Sequence, residues 1–382
     1  MKKNSIATET VKKARHRQRS RKNQSINRAY SGVAPEQTVG LDLGDKTSQY
    51  YGLDREGKET KQGKVATSRK ALLQVFGKMA RSRIALEVGT HSPWVSRLLQ
   101  SLGHEVIVAN ARRVRAISES NRKNDPMDAQ LLARLGRVDP WLLYPIRHRG
   151  EQAQRHLTVI RSRAALVDGR TALVNTARGL VKGFGERLGK CDTDQMGVQK
   201  SSGLAQEQQG VLRPLLETVE AMTAHIQEYD EQIAEIARKN YPETALLQQV
   251  SGVGQLIALT YILTLEDPQR FGRSREVGPY LGLRRKQKDS GESQPELGIN
   301  KEGDVYLRRL LVQGAHCILS ARGPDTDLKR WGLKLAGQGS KRGKKKAVVA
   351  VARKLAVLLH HLWVSGEEYE PLRQSQARAA VA

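Results

Sequence analysis

Four carboxylates and one hydroxyl have the types and spacing that phosphodiester chemistry would use. Asp42 lies in Val39-Gly40-Leu41-Asp42-Leu43-Gly44, and Glu87 ends the run Ile84-Ala85-Leu86. Asp125 and Asp128 are three apart in one helical segment. Ser290 follows about 160 residues later, in Arg284-Arg285-Lys286-Gln287-Lys288-Asp289-Ser290-Gly291. Two carboxylates about 4 Å apart repel by roughly 4 kcal/mol at an effective dielectric near 20. A divalent cation turns that repulsion into binding, and oxygen-only ligands favour Mg²⁺ or Mn²⁺ over zinc. Two such ions can activate the attacking oxygen and stabilise the leaving oxygen of a phosphodiester. Taken singly, Asp125 also suits a helix N-cap and Glu87 a surface charge at a strand end. Asp42 in an apolar strand is the hardest to explain structurally.

A serine hydroxyl is a weak nucleophile until activated. No His lies near Ser290 in sequence, so metal coordination is the better candidate activator. Attack on DNA would leave a phosphoserine link that conserves the phosphodiester energy for rejoining. Arg284, Arg285, Lys286 and Lys288 would hold the phosphates. The residues alone favour reading Ser290-Gly291 as a turn in a basic RNA-binding loop. Arg308, Arg309 and the run Lys341–Lys346 are further phosphate-contact candidates, or a solvated charged face.

These groups need elements to position them. Short apolar runs predict strands over Thr38–Leu43, Arg83–Val88 and Glu105–Ala109, and a meander broken at Asp54-Arg55-Glu56-Gly57 predicts Ser48–Leu53 and Glu59–Val65. Helices are predicted over Ser68–Met79, Ser92–Leu102 and Asp125–Leu135, the last with Met127, Leu131, Leu132 and Leu135 as its apolar positions. Alternation puts Val39, Leu41 and Leu43 in the core. Gly40, Asp42 and Gly44 take the other face, where a metal or phosphate could approach. Strands followed by alternating helix and strand give the order of an RNase H-like α/β domain over residues 37–149.

Residues 150–240 predict a helical hairpin. Leu157, Ile160, Ala164, Val167, Thr171 and Val174 form one heptad-like seam, and Val219, Met222, Ile226, Tyr229, Ile233 and Ile236 the other. The polar stretch 183–210 turns the chain back. Residues 241–365 form a mainly helical domain. In it, Gly252-Val253-Gly254 is either a phosphate-binding turn or a packing turn. Asp304 is an N-cap for the helix carrying Leu307, Leu310, Leu311 and Ile318. Ser340–Lys346 forms a basic turn before the last helix, Ala347–Trp363. Residues 1–36 read as a disordered basic arm and 366–382 as a tail, frayed from about residue 370.

The formal charge is +26, from 65 Lys/Arg against 39 Asp/Glu. Residues 1–36 contribute +8, so +18 lies on the rest of the chain and a polyanion is the expected partner. Cys191 and Cys317 show no metal-like spacing, which fits a reducing cytoplasm. No apolar run reaches the roughly 18 residues a membrane span needs. Aromatics are only 4%, so Trp94, Trp331 and Trp363 read as core residues rather than base-stacking platforms.

Leu41-Asp42-Leu43-Gly44, Leu86-Glu87 and Lys123-Asn124-Asp125-Pro126-Met127-Asp128-Ala129 resemble the motif of the DEDD-type insertion-sequence transposases, the bridge-RNA-guided recombinases. The second half resembles that family's C-terminal domain. The shared motifs are Val250-Ser251-Gly252-Val253-Gly254, Tyr280-Leu281-Gly282-Leu283, Asp289-Ser290-Gly291 and Asn300-Lys301-Glu302-Gly303-Asp304-Val305-Tyr306-Leu307-Arg308-Arg309. The resemblance spans residues 38–363. Asn124 and Pro126 replace the Thr and basic residue usual around the third acid. The basic N-terminal arm lies outside the pattern.

The resemblance implies a RuvC-like nuclease domain, a coiled-coil segment and a Ser-bearing domain. Asp42, Glu87, Asp125 and Asp128 would bind Mg²⁺, with Mn²⁺ as a substitute, and Ser290 would be the nucleophile. Donor and target DNA and a non-coding guide RNA would be the partners. A homodimer or homotetramer would pair the acids of one copy with the serine of another, in the bacterial cytoplasm at the nucleoid. One alternative is a junction-resolving nuclease that uses water. Another is a nucleic-acid-binding protein without catalysis.

Overall fold

The computed structural model describes residues 35–115, 125–287, 290, 297–337, 340–373 and 375–376, without the side chains of Arg115, Asp125 and Pro126. The basic arm up to residue 34 lies outside this range. The chain divides into two compact units, with the division after Arg149.

The first unit is built on a five-stranded mixed sheet. Its strands are β1 (Thr38–Asp42), β2 (Thr47–Leu53), β3 (Glu59–Ala66), β4 (Arg83–Glu87) and β5 (Glu105–Ala109). The order across the sheet is β3-β2-β1-β4-β5. β1 pairs antiparallel with β2 and parallel with β4, which is parallel to β5. Helices α1 (Arg69–Phe76) and α2 (Ser92–Ser101) cover one face. There Leu72, Phe76, Val95 and Leu99 close over Val39, Leu41, Ile84 and Leu86, all fully buried. Each such side chain contributes about 1.5–3 kcal/mol of burial. Ser68 caps α1 by accepting from the Ala71 N–H at 3.3 Å. After α3 (Ala111–Arg115), α4 (Asp125–Val138) covers the opposite face.

The packing of α4 corrects two expectations. Met127 is half exposed, and the buried face is Ala129, Leu132, Ala133 and Gly136. Small residues win because the helix lies almost on the strand. A Cβ on Gly40 would sit 1.9 Å from the Ala129 carbonyl oxygen and 2.6 Å from the Ala133 nitrogen. Gly40 therefore admits a helix, not a phosphate. Gly44 is likewise filled by its own turn, with the Thr47 carbonyl 2.2 Å from a would-be Cβ.

The second unit is helical. α5 (Glu151–Lys182) and α6 (Gln206–Asn240) form a long hairpin. Leu157, Ile160, Ala164, Val174, Val219, Ile226 and Ile233 of the expected seams are buried. Thr171 is exposed and Arg170 takes its inward position. An unsupercoiled helix drifts off a strict heptad in this way. The base of the hairpin packs into the same core as α7 (Thr244–Gln248), α8 (Gln255–Leu265), α9 (Val277–Tyr280), α10 (Val305–Leu319) and α12 (Lys341–Ser365). α11 (Asp327–Ala336) adds Leu328 and Trp331 at the edge.

Asp304 caps α10, with Oδ1 accepting from the Leu307 N–H at 2.8 Å. The run Lys341–Lys346 is not a turn. Ser340 caps it, accepting from the Gly343 N–H at 3.0 Å, so it forms the first turns of α12. The expectation that no apolar run is long enough to span a membrane is corrected at α12, the one helix among the described residues long and apolar enough to cross one. Val351, Leu355 and Leu359 bury one face of it in the core, as in a soluble core helix. The expected fraying from residue 370 is corrected up to Gln376. The Pro371 carbonyl accepts from the Asp327 N–H at 2.8 Å, and the Ser375 hydroxyl meets the Asp327 carboxylate.

Candidate functional site

Leu41 pairs with Leu86, so Asp42 and Glu87 come next in register at the carboxyl ends of neighbouring parallel strands. Strand spacing sets their backbones about 4.8 Å apart. Ile84 and Leu86 face the α1–α2 core, so alternation turns Glu87 to the α4 side with Asp42. Both are half-buried. They line a pocket of about 240 Å³ together with Asp45, Gly89, Thr90 and His91.

The packing of α4 sets its direction. Gly136 lies against Thr38, at the start of β1, and against Ala85, in the middle of β4, whereas Ala129 lies against Gly40. The helix therefore runs opposite to β1, and its first turn reaches the strand ends that carry Asp42 and Glu87. Gln130 Nε2 donates to the Tyr51 hydroxyl at 3.0 Å, and Arg83 Nη1 to the Gly136 carbonyl at 3.2 Å, which pin both ends of α4. Asp128 is exposed on the first turn. The Asp125 backbone opens the helix, and its carboxylate lies outside the described residues.

Among the described residues, no three His, Cys, Asp or Glu side chains close a metal site by themselves. Two oxygen donors side by side, with a third acid on the same face, suit a hard divalent cation. Nothing lies within 4 Å of a would-be Cβ on Gly89, so the pocket mouth has room.

The pocket brings in Asp45 and His91, which carry no motif of their own, and Trp94 holds His91 from outside the pocket lining. Trp94 Nε1 donates to His91 Nδ1 at 3.1 Å. Indole N–H is donor only, so the imidazole hydrogen sits on Nε2, 3.3 Å from Asp45 Oδ1. The signal was available: Asp45 and His91 lie in the loops directly after the two acid-bearing strands, where open α/β sheets place their sites. A second network holds the loop after β4. The Ser92 hydroxyl donates to the Gly89 carbonyl at 2.8 Å and contacts His148 Nε2 at 2.9 Å. Burial, then the charges of Arg97 and Arg149, lower the His148 pKa below the usual imidazole value.

Ser290 belongs to the second unit and is exposed. A two-stranded ribbon leads to it. The Lys286 N–H donates to the Gly298 carbonyl at 2.9 Å, and the Asn300 N–H to the Arg284 carbonyl at 2.8 Å. Arg284, Arg285 and Lys286 are exposed on this ribbon, and Lys288 lies outside the described residues.

Arg308 is corrected as a phosphate contact. It is 8% exposed, and its Nη1 donates to the Leu281 and Glu302 carbonyls, both at 2.9 Å. These carbonyls belong to the crossing of Gly282 (φ 71°) and Gly303 (φ 82°) at the ribbon base. Would-be Cβ atoms there would come within 1.8 Å of the Glu302 oxygen and 2.1 Å of the Tyr280 oxygen. Arg308 thus ties together the segment that carries Ser290. Arg309 remains partly exposed, paired through Nη1 with both Asp168 oxygens at 3.0 Å. Gly252 (φ 81°) packs on α10, with the Gly314 carbonyl 2.7 Å from a would-be Cβ, as a packing turn does.

Comparison with known proteins matches both halves. Residues 39–185 match the DEDD transposase family of IS110 type, and residues 244–329 the transposase IS116/IS110/IS902 family. The transposase for insertion sequence element IS1111A of Coxiella burnetii is 29% identical over 341 residues, covering 87% of this chain and 90% of its own. A probable family 20 transposase of Pseudomonas aeruginosa is 28% identical, covering 87% of this chain and 98% of its own. The transposase for insertion sequence element IS1328 of Yersinia enterocolitica is 28% identical over 72% of this chain and 82% of its own. With the acid-bearing strands inside the first matched region and the helical Ser-bearing unit overlapping the second, the chain belongs to the DEDD-type insertion-sequence transposases and is a transposase enzyme.

Proposed function

We propose that this transposase cuts and rejoins the DNA of an insertion sequence under the guidance of a non-coding RNA. In this reading Asp42, Glu87, Asp125 and Asp128 bind Mg²⁺, or Mn²⁺, in an RNase H-like (RuvC-like) domain, and Ser290 is the nucleophile. The observation that carries the reading is the pair Asp42–Glu87 at adjacent strand ends, on the face crossed by the Asp128-bearing helix. Bound divalent metal would supply charge neutralisation and Lewis acidity at the phosphate.

The residues of the chain do the rest. Arg284, Arg285 and Lys286, with Lys288, hold the phosphates near the serine. The Ser290 oxygen bonds to phosphorus and gives its proton to a base or to water. The bond from phosphorus to a deoxyribose oxygen breaks, and that oxygen takes up a proton. The hydroxyl of a second DNA end then attacks the phosphoserine, which restores the serine and the phosphodiester. A homodimer or homotetramer would bring the acids of one copy to Ser290 of another, at the nucleoid in the bacterial cytoplasm.

The test traps the adduct. With radiolabelled donor DNA and Mg²⁺, wild type should leave label on the protein in a denaturing gel. Ser290→Ala should abolish the adduct and strand joining, and Asp42→Ala should abolish both as well. Cleavage that persists in Ser290→Ala without any adduct would replace this reading with a water-using nuclease.

A further inference from the structure

α11, α12, the segment Glu368–Arg373 and the ribbon that leads to Ser290 enclose a groove of about 1640 Å³. Pockets for single small ligands hold roughly 300–1,000 Å³, so this one suits a longer, linear occupant. Its floor is apolar, with Leu328, Trp331, Val357 and Leu358. Its rim is cationic: ten lining residues are Lys or Arg against three Asp or Glu. Trp331, expected as a core residue, is only partly buried and presents its indole here.

Two features point to an anionic occupant. The first turns of α12 carry Lys341, Arg342, Lys344, Lys345 and Lys346 and no acid. Cations at a helix N-terminus oppose the macrodipole, which stabilises anions there instead. Inside the groove, Lys354 places its ammonium 3.7 Å from the centre of the Trp331 ring. Burial lowers the Lys354 pKa, with no carboxylate among the causes.

An apolar floor with an indole, beneath a rim of cations, matches a chain whose phosphates lie outside and whose bases turn inward. Duplex DNA keeps its base faces stacked and cannot offer them. One wall of the groove is Arg285 with Gly298 and Ile299, from the ribbon leading to Ser290. We propose that the groove takes unpaired DNA nucleotides flanking the phosphodiester that Ser290 attacks. The proposal rests on the nucleophile reading above for its placement, but not for the binding itself.

The experiment uses the full chain and fluorescein-labelled DNA of one sequence, single-stranded and duplex, with single-stranded RNA of that sequence beside them. Trp331→Leu should weaken single-stranded DNA binding about tenfold and leave duplex binding within about twofold, since one base–aromatic stack contributes about that factor. Lys345→Glu, on an exposed rim position, should weaken it too and keeps the test valid if Trp331→Leu unfolds. Ser290→Ala should bind single-stranded DNA normally while losing strand joining, so failure of the nucleophile reading would show separately. Equal losses on both DNA forms would overturn the proposal. So would tighter binding of RNA than DNA at the groove. A change of oligomeric state in Trp331→Leu, by light scattering and with DNA binding intact, would assign the groove to a second copy instead.

Discussion

Gly40→Ala is the sharpest perturbation of the acid site, because it adds one methyl group at a contact made entirely by backbone. The new Cβ would lie 1.9 Å from the Ala129 carbonyl oxygen, and real Cβ atoms essentially never come within 3.0 Å. α4 must therefore retreat from β1 by about 1.1 Å. No truncation of the Ala129 side chain can relieve the clash. Overpacking of this kind costs about 1–3 kcal/mol, which a domain of ordinary stability survives. Catalysis should suffer more. α4 carries Asp125 and Asp128, and a misplacement of about 1 Å in a catalytic constellation can cost about 100-fold. The assay is Mg²⁺-dependent cleavage of labelled donor DNA by folded protein, checked by circular dichroism. Gly179→Ala is the control, since nothing lies within 4 Å of its would-be Cβ. Gly40→Ala should lose about 100-fold in rate and need more Mg²⁺ to reach half-activity, whereas Gly179→Ala should match wild type. A folded Gly40→Ala protein within about threefold of wild type, at the same Mg²⁺ requirement, would refute the idea that this contact positions the acids.

Two further outcomes follow from the hydrogen bonds. Arg308→Met should lower stability by about 2–4 kcal/mol, because the Leu281 and Glu302 carbonyls lose a charged, buried donor, and hydrogen exchange should rise at Lys286. Arg309→Met breaks a partly exposed ion pair with Asp168 and a cation–π contact with Tyr306, and should cost about 0.5–2 kcal/mol in the same denaturation series. His148 gives a pH dependence. Burial and the neighbouring Arg97 and Arg149 depress its folded pKa, so the unfolded chain takes up the proton first, near pH 6.5. Stability should therefore hold above about pH 6.5 and fall as pH drops through the lower folded value. His148→Gln should flatten that slope in denaturant midpoints, and an unchanged slope would show that His148 does not carry it.

The sequence by itself determined the elements and the chemistry they offer. Short continuous apolar runs fixed β1, β4 and β5 to within a residue or so, because a strand covered by helices on both faces is apolar at nearly every position. The acids at the ends of β1 and β4 were legible for the same reason, as polar groups where an apolar run stops. Tertiary structure decided what each glycine and arginine was for. Gly40 reads in sequence as open space beside Asp42, yet a helix backbone from nearly ninety residues away fills it. Arg308 and Arg309 are neighbours of one type, but α10 turns one into the core and leaves the other partly exposed. Trp331 counts as apolar in any pattern, and only the packing of α11 on α12 shows that it lines a cationic groove. Local pattern reports the period of a segment, whereas the use of a side chain depends on which distant backbone closes over it.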